Sequence, residues 1–554
     1  MIKTPQKILK IIFFMFIFSL LITFTIYAGG DGEGKSKGES QKFILTEGEY
    51  DLPIVKDELT MSLVVQDSLH SSFSLNDNRA IWQEIEKKTN VKIDWQAVYG
   101  GKDYTQAINL RVASGTDLPD IFETRGLNPV KLHQTGVTVE TTDLIRKFAP
   151  NILRYVKEEK AIQAAMIAPD KRMYAAYPFT EMQNGKSNIS ASYYRIDWVK
   201  KLGFKEPVTV EDYYELLKAF REKDPNGNGK MDEVPHVMSA LNGLGFYGVA
   251  FDLSIGNTCK GWVADKNGKI GYDYLNPRFK DHLAMLVKMY QVGIFTKSVT
   301  VKGNMRQQLL STNRVGLQGG GLNNVEQRDR LISKAGVDLS EGGHYFAPPP
   351  QNKITGKREF SATNPTKSRW MMISRTCKHP DVAIRWLDYI WGSEEGQIYL
   401  NFGIKGKTYD IGKDGKPYYL DNILNNPAGH SPSTALFEYG CLSQVLAFKR
   451  DDAFRQMFRK NEKLYNMPDK AVKYPQRPLH LPAMLASPED GEEYASIMAD
   501  VDTYREEMYL KFIMGAEPLD NFDKYVERME FLGIEKVIAI QQRKYDFLQS
   551  FKLE

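Results

Sequence analysis

Near the start of the chain an extended run, an amphipathic helix and a second extended run follow one another, and that order leaves few ways to fold. Thr60 to Val65 (Thr-Met-Ser-Leu-Val-Val) reads as a short buried strand. Asp77 to Thr89 carries apolar residues at helical spacing, and Val91-Lys-Ile-Asp-Trp95 alternates like a half-buried strand. Two strands joined through a helix pair in parallel, and a parallel sheet needs cover on both faces. The chain therefore opens as a βαβ unit of an α/β protein. A further helix over Tyr104 to Ser114 leads through Gly115-Thr-Asp-Leu-Pro-Asp120 into a strand at Ile121-Phe122. Asp67 then lies just past the first strand, and Glu123, Thr124 and Arg125 just past the third, at the strand ends where open α/β sheets bind ligands.

Later segments are helical. Thr209 with Asp212 three residues on makes a capping-box pair ahead of Tyr213 to Phe220. Lys280 to Val292, Pro380 to Ile390 and most of Glu489 to Phe551 keep helical spacing, the last broken at Gly515, Pro518 and Gly533. The chain has 554 residues. Without its first segment it still has roughly 500, more than one core usually organises, so two lobes are expected.

Residues 1–28 read as a secretory signal peptide: Lys3, Lys7 and Lys10 precede the apolar run Ile11 to Ile26, and Ala28, Gly29 and Gly30 follow. An uncleaved N-terminal membrane anchor is the rival reading, since the run is almost long enough to span and Ile26 suits a cut after Ala28 poorly. Either way the folded part lies outside the cytoplasm. Residues 29–58 read as a flexible tether, Gly/Ser/Lys/Glu-rich over Gly29 to Gln41. The three cysteines, Cys259, Cys377 and Cys441, are widely spaced and make no disulfide framework. The leader holds three lysines and no acid, so its removal takes the net charge from +4 to +1. That balance argues against nucleic acid as a partner.

The run Asp224-Pro-Asn-Gly-Asn-Gly-Lys-Met-Asp-Glu233 sets oxygen-bearing side chains at alternate positions around two glycines. Asp224, Asn226 and Asn228 would supply loop positions 1, 3 and 5, the Lys230 carbonyl position 7, and Asp232 with Glu233 could close an oxygen-only Ca²⁺ sphere. It is no complete EF-hand, because Pro235 stands where the bidentate glutamate belongs. A plain Asx/Gly turn is the other reading.

Catalytic signatures are few. Gly243-Leu-Gly-Phe-Tyr-Gly248 matches the dinucleotide fingerprint after a strand read at Val234 to Ala240, but it sits mid-chain, and a flexible ligand-contacting loop explains its glycines better. The eight histidines include no H-E-x-x-H, and no G-x-S-x-G elbow occurs between a strand and a helix, the match Gly34 to Gly38 falling in the tether. A glycosidase is the serious enzyme rival, because two facing carboxylates suffice and spacing cannot exclude them.

The chain resembles the extracellular solute-binding proteins of ABC importers, family 1, in the large group that takes up oligosaccharides such as alginate or aldouronate fragments. The resemblance is carried by Ala113-Ser-Gly-Thr-Asp-Leu-Pro-Asp120, by Arg195-Ile-Asp-Trp-Val-Lys-Lys-Leu-Gly203 with Pro207-Val-Thr209, by the Asp224 to Glu233 loop with Pro235, by Ala383-Ile-Arg-Trp-Leu-Asp-Tyr389 with Glu395-Gly396, and by Lys511-Phe-Ile-Met-Gly515 through Phe531-Leu-Gly533. It implies an α/β, two-lobe periplasmic-binding-protein-like fold (type II) with a helix-rich C-terminal part. Lobe 1 would combine 59–177 with 351–430, and lobe 2 would combine 178–350 with 431–554. Hinge crossings would lie near Met173-Tyr-Ala-Ala-Tyr-Pro178 and Ala347-Pro-Pro-Pro350. It also implies structural calcium held by Asp224, Asn226, Asn228, Lys230, Asp232 and Glu233, and a monomeric, non-catalytic receptor that passes an oligosaccharide to a membrane permease. Two departures stand out. Gly29-Gly30 replace the usual lipid-attachment cysteine, and Gly403-Ile-Lys-Gly406 replaces Gly-x-Glu-Gly.

A sugar cleft needs flat apolar faces and planar polar groups. Tyr247, Trp262 and Trp370 are the candidate platforms, and Asp67, Glu123 and Arg125 the candidate polar contacts, each against the plainer reading of core aromatic or solvated charge. Arg125 could pair an acidic sugar's carboxylate with help from Lys131, whereas a neutral sugar would rely on Glu123 and Asp67. An adhesin or chemosensory module would share this chemistry and differ in partner.

Overall fold

The computed structural model describes residues 51–67, 73–125, 127–177, 191–256, 259–339, 342–361, 369–442, 451–477 and 481–552. The leader and the tether as far as residue 50 lie outside them, as does Pro178 of the first expected crossing. Among the described residues no helix is long and apolar enough to cross a membrane.

The opening βαβ unit forms. Strands β1 (Leu59–Asp67), β2 (Val91–Tyr99) and β3 (Ile121–Glu123) run parallel, with Leu63 level with Trp95 on one side and Ile121 on the other. Leu63, Val64 and Val65 are buried in succession because both faces of this parallel strand are covered. The first helix is shorter than its spacing predicts, Ala80–Thr89, because Ser74 and Asp77 cap a separate 3₁₀ turn that Asn78 ends in the left-handed region (φ 44°).

Strands β4 (Ala191–Arg195), β5 (Val234–Val237), β6 (Trp262–Ala264), β7 (Ile270–Tyr272), β8 (Val315–Gly320), β9 (His344–Ala347) and β10 (Met371–Ile373) follow along the chain. The first sheet has the order β10-β3-β1-β2, with β10 antiparallel to β3; the second has the order β5-β8-β4-β9, with only β5 and β8 parallel. Strands β6 and β7 form a separate hairpin.

Each sheet has its own apolar core. The first sheet packs on the helix Pro380–Gly392, whose residues from Val382 onward are all buried. The segment 432–471 adds Leu436, Phe458, Leu464 and Met467 to the same core. The second core takes the helix Val210–Glu222, where Thr209 and Asp212 form the expected reciprocal cap, and the helix Pro277–Gln291. Helices Pro488–Met514 and Phe522–Phe531 and the start of Ile534–Ser550 cover it further, and breaks fall where Gly515, Pro518 and Gly533 predict them. This is a two-lobed α/β architecture with a helix-rich C-terminal part. Ala176, in the segment expected to hold the first crossing, exchanges two backbone hydrogen bonds with Met371, at 2.9 and 2.8 Å.

Candidate ligand-binding edge and metal loop

The carboxyl ends of β1 and β3 gather four of the six residues expected at a sugar site. Glu123 is fully buried; its Oε2 accepts from the Gln66 backbone N–H at 3.1 Å, and its Oε1 lies 3.4 Å from Arg369 Nη1. Burial pushes the Glu123 carboxyl above its ordinary range, against the pull of Arg369 and Arg125. Tyr104 fixes this corner by donating its hydroxyl to the Glu123 carbonyl at 2.5 Å.

Arg125 sits in the left-handed region (φ 41°) and donates through Nη1 to Gln66 Oε1. Its guanidinium lies against Gly101 at the start of the helix Gly101–Ser114, where a Cβ would displace it. Trp370 is 6 % exposed, donates its indole N–H to the Ala165 carbonyl at 2.6 Å, and exchanges hydrogen bonds with Thr124. Asp67 is buried as well and accepts from Ser74 Oγ at 2.5 Å and the Leu75 N–H at 3.3 Å. Beside this group a groove of about 930 Å³ runs along the helix Gly101–Ser114, where Lys102, Thr105, Gln106, Asn109 and Arg125 offer polar groups. The groove is open to solvent, its lining drawn from one face of that helix and Arg125.

Tyr247 and Trp262 are not brought to this edge. Tyr247 is buried in the second core with its hydroxyl 2.7 Å from His236 Nδ1, and Trp262 packs against Tyr272 at 4.6 Å between ring centres. The glycines around Tyr247 serve close packing: a Cβ on Gly245 would strike the Ile255 carbonyl, and one on Gly248 would meet the Ile255 side chain. The sequence 243–248 forms short helical turns in place of a flexible loop, and the strand ahead of it ends at Val237. Gln66 and Arg369 escaped the sequence reading. Their only signal was adjacency to Asp67 and Trp370.

The Asp224 to Glu233 loop folds around its own acids. Asp224 Oδ1 accepts from the N–H groups of Gly227 and Asn228 at 3.0 and 3.1 Å, and its Oδ2 from Gly229 at 2.8 Å. Asn226 Oδ1 accepts from Asn228 N–H at 2.9 Å, and Asn228 Oδ1 from Lys230 N–H at 2.8 Å. Asp232 is paired with Arg314 at 3.2 Å. Glu233 is 2 % exposed, and its Oε2 has no hydrogen-bond partner among the described residues. Burial raises its pKa, and the charges of Asp224 and Asp232 raise it further. Among the described residues no three His, Cys, Asp or Glu side chains stand close enough to form a metal-holding group. The donor set is still oxygen-only, and a buried carboxylate oxygen left unpartnered beside two further acids fits a hard cation better than it fits an empty turn.

Comparison with known proteins matches residues 74–397 to the family model "Bacterial extracellular solute-binding protein". The fructooligosaccharide ABC transporter substrate-binding protein FusA of Streptococcus pneumoniae serotype 4 is 26% identical over 512 residues, covering 86% of this chain and 88% of FusA. Among solved structures, alginate-binding protein AlgQ2 without calcium ion superposes with a TM-score of 0.70 at 24% identity, over 89% of this chain and 99% of AlgQ2. An EF-hand mutant of S. pneumoniae FusA in complex with fructo-nystose superposes with a TM-score of 0.68 at 22% identity, over 89% of this chain and 100% of that one. With more than half its length matched and the two-sheet architecture shared, the chain belongs to the bacterial extracellular solute-binding proteins.

Proposed function

We propose that this protein is the oligosaccharide receptor of an ABC importer, non-catalytic, monomeric and exported, with its N-terminus either cleaved or kept as a tether. The observation that carries this reading is the groove beside Arg125 at the carboxyl edge of the first sheet, in a chain whose family captures solutes. Arg125 would supply the hydrogen-bonding group that faces the groove, with the buried Glu123, Asp67 and Trp370 holding that edge in place, while Tyr247 and Trp262 would stiffen the opposite lobe from within. The first lobe would comprise 59–177, 369–430 and the segment to 471, and the second 191–347 with the helices after 488, a partition supported by their two cores.

Hydrolysis is the weaker reading. Glu123 is tied to Arg369, and Asp67 to Ser74 and Leu75, which leaves neither carboxylate placed as a free acid or base. Incubation with candidate oligosaccharides tests the choice. Binding without new reducing ends is expected, and steady turnover would refute the receptor.

The 224–233 loop would hold one structural Ca²⁺ through Asp224, Asn226, Asn228, the Lys230 carbonyl, Asp232 and Glu233. Calcium there would neutralise the loop's acids and tie the end of the helix Val210–Glu222 to β5. The EF-hand mutant of FusA and the calcium-free AlgQ2 support the assignment by analogy.

A further inference from the structure

We infer that the second sheet carries an anion-recognising subsite, built by Arg328, Arg306 and Gln318, that selects oligosaccharides bearing a carboxylate. It rests on the receptor reading above and narrows its substrate class.

Gln318 lies on β8, fully buried, and neither Oε1 nor Nε2 has a hydrogen-bond partner among the described residues. Arg328, on the helix Leu322–Lys334, is 7 % exposed, and its Nη1 is unpartnered; so is the buried Nε of Arg306, on the helix Gly303–Ser311. The acid that acts on Arg328 is Asp329, but its two oxygens are already taken, by His344 Nδ1 at 2.6 Å and by Lys463 Nζ at 2.8 Å. Burial and the neighbouring Arg306 charge lower the Arg328 pKa to about 10. Two guanidinium groups thus stand near each other, largely desolvated and, among the described residues, without a carboxylate of their own.

Their position suits a ligand. Arg328 Nη1 would lie 3.7 Å from a Cβ placed on Gly320, so the guanidinium flanks the Gly319-Gly320-Gly321 turn at the carboxyl end of β8. Gly321 opens the helix Leu322–Lys334 without a side-chain cap. Tyr193, level with Gln318 across the β4–β8 pair, joins Leu322 and Val325 in packing into the first lobe's core, so this corner of the second sheet faces the first lobe. A planar carboxylate offers two acceptors to a guanidinium fork, and the Gln318 amide can pair with a neighbouring hydroxyl.

The test is calorimetric titration of the full-length protein with oligogalacturonates and oligomannuronates, and in parallel with the neutral sugars kestose and xylotriose. Acidic sugars should bind about tenfold or more tightly than neutral ones, and Arg328→Gln should weaken them roughly a hundredfold while moving neutral binding less than about twofold. Arg306→Gln, further from the core, should repeat the effect more weakly in a protein of unchanged melting temperature. Equal affinity for both classes, or equal losses for both in the variants, overturns the subsite and leaves the receptor intact. Binding of neither class would remove the receptor reading as well.

Discussion

Glu123 illustrates how a single buried charge organises the first lobe. Its carboxylate is fully enclosed and answered by Arg369 at 3.4 Å and by one backbone N–H, so the pair is sound only while both members remain. Arg369→Gln should therefore cost about 3 kcal/mol in urea unfolding, because it strands the carboxylate, whereas Glu123→Gln should cost less while impairing sugar binding. An equal cost for both would contradict the pairing. Two histidines give a second residue-level expectation. Burial lowers His236 and His282 to about 3, each beside a tyrosine hydroxyl. Their folded values lie below the unfolded value of about 6.5, so the unfolded chain binds more protons in between. Stability is complete above pH ~6.5 and falls as pH drops toward 3, by roughly 3 kcal/mol per histidine at pH 4. Thermal melts between pH 7 and pH 4 would show the loss, and His282→Gln should flatten the slope.

Among the elements, the 224–233 loop and the helix before it form one unit, since Val210–Glu222 begins at a capping box and ends two residues before Asp224. Chelation with EGTA should lower the melting temperature, and Asp224→Ala should reproduce that loss and abolish its response to added calcium; an unchanged melt on chelation would return the loop to a plain turn. Much at this scale was legible beforehand. The βαβ opening, the Thr209 cap and the breaks at Gly515 and Gly533 are written in local spacing and turn chemistry. The edge strand Met371–Ile373 and the antiparallel pairs of the second sheet were not, because pairing partners far apart in the chain leave no periodic trace. The site follows the same rule. Asp67, Glu123 and Arg125 stand at the strand ends where local spacing puts them, whereas Arg369 meets Glu123 across 246 positions. Tyr247 misled because glycines around an aromatic residue look like a mobile loop and here serve close packing.

At the scale of the whole molecule the proposed receptor role turns on whether ligand capture changes the arrangement of the two lobes. A ligand that touches both sheets binds only the arrangement in which they face each other closely, so it shifts the population toward that form in proportion to its differential affinity. Besides the packing of Tyr193, Leu322 and Val325 into the first core, an ion pair joins the parts: Lys463, on a helix packed in the first core, donates to Asp329, on the helix that follows β8, at 2.8 Å. Lys463 is 28 % and Asp329 15 % exposed, so the pair contributes on the order of 1 kcal/mol. Lys463→Met should then expand the unliganded protein in small-angle scattering, because the acid keeps only His344 as partner. Saturating oligosaccharide should contract both proteins to the same radius, since contacts made by the ligand outweigh one ion pair: at a hundred times Kd the bound state gains about 2.7 kcal/mol. A variant that stays expanded when saturated would mean that Lys463 is itself part of the closed form, and a wild type with one radius throughout would mean that capture proceeds without closure.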